Sequence, residues 1–178
     1  FIKAARKVIS YPVEIISGQE EARLIYQGVA HTHNLQGQTL VIDIGGGSTE
    51  FAIGANFEPK ILRSLDMGCV SYTQRFFKNG KLTNKAFEQA ITAAQQQLEK
   101  IEDKYLKLGW DTCIGASGSI ESVMTMVCDK LDYCEHQLTL EQMERLQSYC
   151  VEKGELTALK LGEANEERRN VFPAGLAI

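Results

Sequence analysis

A run of three glycines directly after a buried-type strand constrains this chain more than any other feature of its 178 residues. Residues 39–44 are rich in apolar and β-branched side chains, which predicts a buried strand. Gly45, Gly46 and Gly47 follow; they have no Cβ to block close approach, and their N–H groups can converge on an anion. A hairpin turn that needs glycine for its dihedral angles is the alternative. We favour phosphate binding, because hairpins rarely place three glycines after a buried aspartate.

Polar side chains flank the predicted glycine loop. Asp43 ends the strand and is placed to hold a divalent cation, directly or through water. Ser48 and Thr49 add hydroxyl donors after the glycines, and Glu50 lies on the predicted returning strand near the same loop. The loop lacks the Gly-Lys-Ser/Thr of a P-loop, and a strand rather than a helix follows it. The pattern therefore predicts an anion site with an associated cation, and neither a P-loop nor a dinucleotide fingerprint.

A second glycine corner follows a short strand predicted over residues 111–114 and opens onto a helix. It consists of Gly115, Ala116, Ser117 and Gly118. Free N–H groups at a helix N-terminus favour phosphate binding, although close packing of strand against helix explains small residues equally well. Arg168, in a helix predicted over 165–178, is a candidate contact to a polyanion, with an exposed helix face as the alternative.

A helix predicted over residues 18–32 singles out one carboxylate. Ser17 and Glu20 fit a capping box at its N-terminus. Steps of about 100° per residue place Leu24 and other apolar residues within about 80° of Glu21. We therefore expect Glu21 on the inward face, where a carboxylate is costly unless it is paired or functional. Beside a phosphate site it would act as general base for water; a buried salt bridge or a second capping carboxylate is the alternative.

The remaining periodicity predicts a single α/β domain without linkers. The further expected elements are a helix over 2–9, a strand over 13–16, a three-stranded meander over 39–65, a helix over 68–77, one long helix from Thr83 to Leu108 and a helix over 139–152.

Composition excludes several classes of function. The net charge is −4, from 19 basic and 23 acidic residues without a long basic run, so nucleic-acid binding is not expected. No apolar run approaches the roughly 20 residues that span a bilayer. The five cysteines are odd in number and contain no Cys-x-x-Cys pair, which favours reduced thiols and a cytoplasmic protein.

Four motifs in the same order and spacing resemble the exopolyphosphatase / guanosine pentaphosphate phosphohydrolase (Ppx/GppA) family. They are Ile16 to Arg23, Val41 to Glu50, Met67 to Val70 and Gly115 to Gly118, and the similarity continues through Arg168 to Leu176. The resemblance implies a ribonuclease-H-like lobe of the actin-like ATPase superfamily, with a mixed sheet flanked by helices.

The resemblance also implies an activity: a Mg²⁺-dependent phosphohydrolase that removes the terminal phosphate of polyphosphate or the 5′ γ-phosphate of pppGpp. Glu21 matches the family's proposed catalytic glutamate. Glu50 matches a glutamate near the metal and the attacking water, which makes it both a catalytic and a metal candidate. Asp43 is the other metal candidate, and its loop matches the family's second phosphate loop.

The family's first-lobe phosphate loop, of the Asp-x-Gly-Ser-Asn-Ser type, is not found in this sequence, nor is its C-terminal strand. We therefore expect residues 1–178 to be the second lobe of the phosphatase core, a fragment that is poorly active alone. Its implied partners are polyphosphate or pppGpp and the rest of the parent chain, with a homodimer as one arrangement of the intact protein. A non-catalytic module that senses the same ligands and a sugar or acetate kinase lobe are the alternative functions.

Overall fold

Helices and strands alternate along the chain in the computed structural model, which describes residues 2–131 and 137–178, apart from the side chains of residues 163–165. The α-helices are α1 (Ile2–Val8), α2 (Gly18–Thr32), α3 (Cys69–Phe76), α4 (Asn84–Leu98), α5 (Glu102–Leu108), α6 (Gly118–Leu131), α7 (Leu140–Lys153) and α8 (Phe172–Ala177). The strands are β1 (Gln38–Ile44), β2 (Thr49–Ala55), β3 (Glu58–Leu65) and β4 (Thr112–Gly115).

The four strands form one mixed sheet in the order β3-β2-β1-β4. The first three form the predicted antiparallel meander, and β4 pairs parallel to β1. The register places Asp43 opposite Glu50, and Glu50 opposite Ser64. Because paired residues project to the same face of a sheet, these three side chains form one row across the meander.

Helices cover both faces of the sheet, as expected for an α/β lobe. On one face α2 buries Tyr26 and Val29 against Val41 and Ala52. On the other face a larger core joins the sheet to α3–α8, with Phe87, Met126 and Leu146 among its fully buried side chains. The prediction of a mixed sheet flanked by helices is confirmed.

Three predicted elements differ from the structure. Residues 13–16 form no strand, since the edges of the sheet are β3 and β4 and neither pairs with this segment. The long helix expected from Thr83 to Leu108 is two helices, because the chain turns after α4 and thereby buries Ile101 and Tyr105.

The prediction of one continuous helix over residues 165–178 was also wrong. A 3₁₀ helix over Glu163–Arg168 precedes the separate helix α8. Pro173 lies in the first turn of α8, where its missing N–H is harmless; within a longer continuous helix it would break the hydrogen-bond ladder.

The cysteines depart in part from the expectation of reduced thiols. Cys69, Cys113 and Cys150 are free, whereas Cys128 is disulfide-bonded, which corrects the expectation at that position. Cys134 lies outside the described residues. Among the helices in the described ranges, none has the length and apolar character that crossing a membrane requires.

Candidate active site

The glycine loop between β1 and β2 has its carbonyl groups turned toward helix α3. The N–H of Cys69 donates to the carbonyl of Gly45 at 2.9 Å, and the N–H of Val70 donates to that of Gly46 at 2.9 Å. In the part of the chain that the structure describes, the N–H groups of Gly46, Gly47 and Ser48 donate no hydrogen bond. Gly46 and Gly47 are exposed, so these amides are available to an anionic ligand.

Space, rather than turn dihedral angles, explains part of the glycine pattern. Gly45, Gly46 and Gly47 all lack a positive φ, so the loop does not need glycine for its backbone conformation. A Cβ on Gly45 would lie 3.1 Å from the carbonyl oxygen of Ser48, and one on Gly46 would lie 3.3 Å from Cγ2 of Val70. Gly47 has nothing within 4 Å of its Cβ position. Neither strain nor packing within the chain therefore requires glycine at Gly47, whereas close approach of a ligand would.

Asp43 and Glu50 bring two carboxylates to the base of this loop. Glu50 is only 2% exposed, and its Oε1 accepts a hydrogen bond from the Ser64 hydroxyl at 2.7 Å. Its Oε2 lies on the loop side, 3.9 Å from the Cβ position of Gly45. Burial raises the pKa of Asp43, and the negative charge of Glu50 raises it further.

Glu21 lies on the exposed flank of α2, so its predicted inward position was wrong. The face that packs on the sheet contains Ala22, Tyr26 and Val29, while Leu24 is 45% exposed. The stripe at i, i+4 and i+7 is thus centred one residue after Glu21. Partial desolvation raises the pKa of Glu21, and the charges of Glu50 and Asp43 raise it further. The flank that carries Glu21 is therefore electrostatically coupled to the other two carboxylates.

The predicted capping box at the start of α2 is half formed. The Ser17 hydroxyl accepts a hydrogen bond from the N–H of Glu20 at 3.2 Å. The Glu20 carboxylate does not return to the cap; it binds the guanidinium of Arg23 with both oxygens, at 2.6 and 2.8 Å. Of the two adjacent glutamates, Glu20 is thus engaged on the helix surface, whereas Glu21 is the one whose pKa is affected by the charges of Glu50 and Asp43.

The second glycine corner lies at the same end of the sheet as the first. The N–H of Ala116 donates to the carbonyl of Ile42 at 2.8 Å, and the Ser119 hydroxyl donates to that of Ile44 at 3.0 Å. The Ser117 hydroxyl accepts from the N–H of Ile120 at 3.3 Å and so caps α6. Both corners therefore follow the carboxyl ends of parallel neighbouring strands, where α/β sheets bind ligands.

Close packing accounts for one of the two glycines of this corner. A Cβ on Gly115 would collide with Ile120, whereas one on Gly118 would meet the guanidinium of Arg168, the end of a flexible and exposed side chain that can move aside. The structure thus supports the packing alternative for Gly115, and it places Arg168 against the start of α6. Arg168 is the one cation among the predicted site residues, and it borders the second corner rather than the carboxylates.

Two residues of the site were missed at the level of sequence. Gly68 lies so close to the first loop that a Cβ would collide with the backbone of Gly46 and Gly47, which fixes α3 against the loop. Ser64 binds Glu50. The strand register is the signal that could have found Ser64. An irregularity between Ile53 and Gly54 shifts the pairing of β2 with β3, however, so counting residues back from the turn would have missed the pairing of Glu50 with Ser64.

Asp43 and Glu50 are the residues of this site that would hold a divalent cation. No group of three or more His, Cys, Asp or Glu side chains in the described ranges is arranged to hold a metal. Mg²⁺, however, is commonly bound by one or two carboxylates together with waters and substrate phosphates. Glu21, Asp43 and Glu50 form no ion pair within residues 2–131 and 137–178, so a cation would relieve the charge repulsion between them.

The fold and the site together define an α/β domain in which the amides of a glycine loop lie beside carboxylates. A model of the Ppx/GppA phosphatase family matches residues 1–178. The chain belongs to this family.

Named relatives agree with that assignment. The guanosine-5′-triphosphate,3′-diphosphate pyrophosphatase of Vibrio cholerae is 44% identical over 179 residues, which cover 100% of this chain and 35% of the relative. The protein of the same name from Aeromonas hydrophila is 43% identical over 178 residues, covering 100% of this chain and 36% of the relative. The chain thus spans about a third of the length of these curated relatives.

Solved structures share the fold. A crystal structure of an exopolyphosphatase from Cytophaga hutchinsonii matches with a TM-score of 0.81 at 24% identity, over 99% of this chain and 59% of that one. A Ppx/GppA family member from Aquifex aeolicus matches with a TM-score of 0.68 at 23% identity, over 99% and 58%. At these identities the two matches show a shared fold, and they agree with the predicted mixed sheet flanked by helices.

Proposed function

We propose that this chain supplies the glycine loop and the carboxylates of a phosphohydrolase that removes a terminal phosphate from a polyanionic substrate. The observation that carries the proposal is the orientation of the loop. Helix α3 donates hydrogen bonds to the carbonyls of Gly45 and Gly46, and among the described residues the amides of Gly46, Gly47 and Ser48 have no acceptor. The carboxylates of Asp43 and Glu50 lie at the base of this loop, and Glu21 interacts with both electrostatically. Free amides bind phosphate oxygens, while carboxylates handle the cation and the water.

In this proposal each polar group has a separate role. The amides of Gly46 and Gly47, with Ser48, hold the terminal phosphate. Asp43 and Glu50 hold Mg²⁺, which when bound neutralises phosphate charge and acidifies nearby water. Glu21 accepts a proton from the water whose oxygen attacks the phosphorus, and the bridging P–O bond to the leaving phosphate breaks.

In this proposal the second glycine corner binds the part of the substrate that lies beyond the released phosphate. The amides at the start of α6, around Ser117 and Gly118, and the guanidinium of Arg168 would bind phosphates beyond the one that is released. Gly115 and Ala116 form the turn that precedes these amides. A polyanion with several phosphates would then contact both corners at once.

Among substrates we place pppGpp before polyphosphate. Relatives that are 42–44% identical over the whole chain carry the name guanosine-5′-triphosphate,3′-diphosphate pyrophosphatase. The structural match named as an exopolyphosphatase is 24% identical, which supports a shared fold alone. A cytoplasmic location is part of the proposal.

The test is phosphate release by the intact protein with Mg²⁺, measured in parallel on pppGpp and on long-chain polyphosphate. We expect release of one phosphate per pppGpp to give ppGpp, with no need for a phosphoacceptor. Tight binding of pppGpp without release would identify a sensing module. Turnover that requires a sugar or acetate acceptor would identify a kinase, and either result would overturn the proposal.

A further inference from the structure

Glu50 occupies the centre of a row of three polar side chains that runs across the meander. Its neighbours in register are Asp43 on β1 and Ser64 on β3. Asp43 is a like charge, and in the described part of the chain the Ser64 hydroxyl is the hydrogen-bond donor to the Glu50 carboxylate, at 2.7 Å. A carboxylate with so little exposure needs such a donor to keep a fixed orientation.

The hydrogen bond decides which oxygen of Glu50 faces the loop. Oε1 accepts from Ser64, and Oε2 points toward Gly45, 3.9 Å from its Cβ position. Loss of the hydroxyl would allow the carboxylate to rotate and would leave a buried acceptor unsatisfied. Ser64 therefore controls the oxygen that is available to the cation and the water.

Helix α2 holds the Ser64 side chain in place. Gly18, the first residue of α2, packs so closely on Ser64 that a Cβ on Gly18 would lie 2.5 Å from the Ser64 hydroxyl oxygen. Glu21 follows on the same helix, one turn later. The Ser64 side chain thus lies between the start of the helix that carries Glu21 and the carboxylate of Glu50.

From this arrangement we propose that Ser64 is a positioning residue, which orients Glu50 for the metal and the attacking water and sets its place relative to Glu21. The inference rests on the proposed function. Ser64 has no direct contact to substrate in it; the hydroxyl acts through Glu50. Partners of metal ligands commonly contribute 10- to 100-fold to metal affinity or activity, on the order expected here.

The experiment compares Ser64→Ala with the wild type in the intact protein, using Mn²⁺ binding and phosphate release from pppGpp. We expect a Kd for Mn²⁺ about tenfold higher and a kcat about 10- to 100-fold lower. KM for pppGpp should change little, because the amides of the glycine loop are untouched. Ser122→Ala is the control; it removes a serine hydroxyl away from Glu50, one that donates to the carbonyl of Gly118 in its own helix.

A double-mutant cycle separates positioning from a general loss of packing. In a Glu50→Gln background, Ser64→Ala should raise the Kd for Mn²⁺ by less than about twofold, since the group through which it acts is already gone. Three results would each overturn the proposal. The first is an unchanged Mn²⁺ affinity in folded Ser64→Ala. The others are a rise in the Kd for Mn²⁺ that is the same with and without Glu50, or a rise that Ser122→Ala produces equally.

Two further comparisons cover a variant that does not fold and a protein that binds Mn²⁺ without releasing phosphate. If Ser64→Ala does not fold, Gly18→Ala displaces the intact Ser64 instead, and wild-type Mn²⁺ affinity in that variant would count against Ser64. If the wild type binds Mn²⁺ but releases no phosphate, the proposed function fails, while the Mn²⁺ comparison still decides the role of Ser64.

Discussion

Single residues of the glycine loop serve different purposes, although they look identical in the sequence. Gly45 and Gly46 lie close to the Ser48 carbonyl and to Val70, so packing within the chain accounts for them. Gly47 has neither a close neighbour nor a positive φ. Sequence predicted the loop as a unit, but it could not separate these roles, because they depend on where α3 meets the loop.

Gly47→Ala should therefore fold at least as well as the wild type and bind pppGpp more weakly. Alanine restricts the unfolded chain, which stabilises a protein by up to about 1 kcal/mol where φ permits it. Its methyl group would meet a phosphate bound at the amides, and loss of one charge-assisted hydrogen bond, about 1.5–3 kcal/mol, corresponds to roughly 10- to 100-fold in Kd. Isothermal titration and thermal melting measure the two effects. Unaltered affinity would show that the loop is a plain hairpin.

Glu21→Gln in the intact protein should lower kcat by about 10²- to 10⁴-fold while folding and pppGpp binding stay close to wild type. Glutamine keeps the shape of the side chain and removes the proton acceptor. Glu20→Gln is the matched control, because Glu20 binds Arg23 on the helix surface and should leave kcat unchanged. Steady-state phosphate release decides the matter, and an inactive Glu20→Gln beside an active Glu21→Gln would reverse the assignment.

At the scale of elements, the bounds of α2 and the three-stranded meander followed from sequence, but the orientation of α2 did not. The helical wheel was centred on Glu21 because apolar Leu24 and Ile25 lie near it, yet the helix packs through Ala22 and Tyr26. The helical periodicity of the sequence predicts an apolar stripe, but it does not predict whether that stripe packs on the sheet. Half-exposed Leu24 continues the flank that carries Glu21.

The carboxylate row across β1 and β2 predicts an unusual pH dependence of stability. The pKa of Asp43 is raised above its ordinary value of 3.8, so the folded chain binds this proton more tightly than the unfolded chain does. Its charge therefore costs stability at neutral pH, and the cost disappears as the pH falls through the raised pKa toward the ordinary value.

Asp43→Asn should accordingly unfold at higher denaturant concentration than the wild type at pH 7 without divalent cations. The difference should shrink at low pH, and added Mg²⁺ should also shrink it by neutralising the wild-type carboxylates. Urea titrations at several pH values measure this, with exposed Asp103→Asn as the control. A gap that widens as the pH falls would contradict the sign derived for Asp43.

For the molecule as a whole, the residues that stabilise the fold are distinct from those of the proposed site. Two buried clusters, one under α2 and one under α3–α8, give the lobe a core of its own. Around the site, by contrast, large apolar side chains remain open: Ile16 is 48% exposed, Leu24 45% and Val70 44%. We expect these exposed side chains to be covered by another part of the intact protein.

The 178 residues alone should therefore fold cooperatively but hydrolyse pppGpp or polyphosphate very poorly. The chain corresponds to 35% of its Vibrio cholerae relative, and in the proposed function it supplies Glu21, Asp43 and the glycine loop as one part of the phosphate site. Without an opposing surface, water screens the amides and the cation, and the phosphate is not held in line with the attacking water. We expect a rate at least about 100-fold below that of the intact protein at equal Mg²⁺, as suits a loss of positioning. Equal rates in a phosphate-release assay, with both proteins shown to be folded by circular dichroism, would mean that this single lobe carries the whole active site.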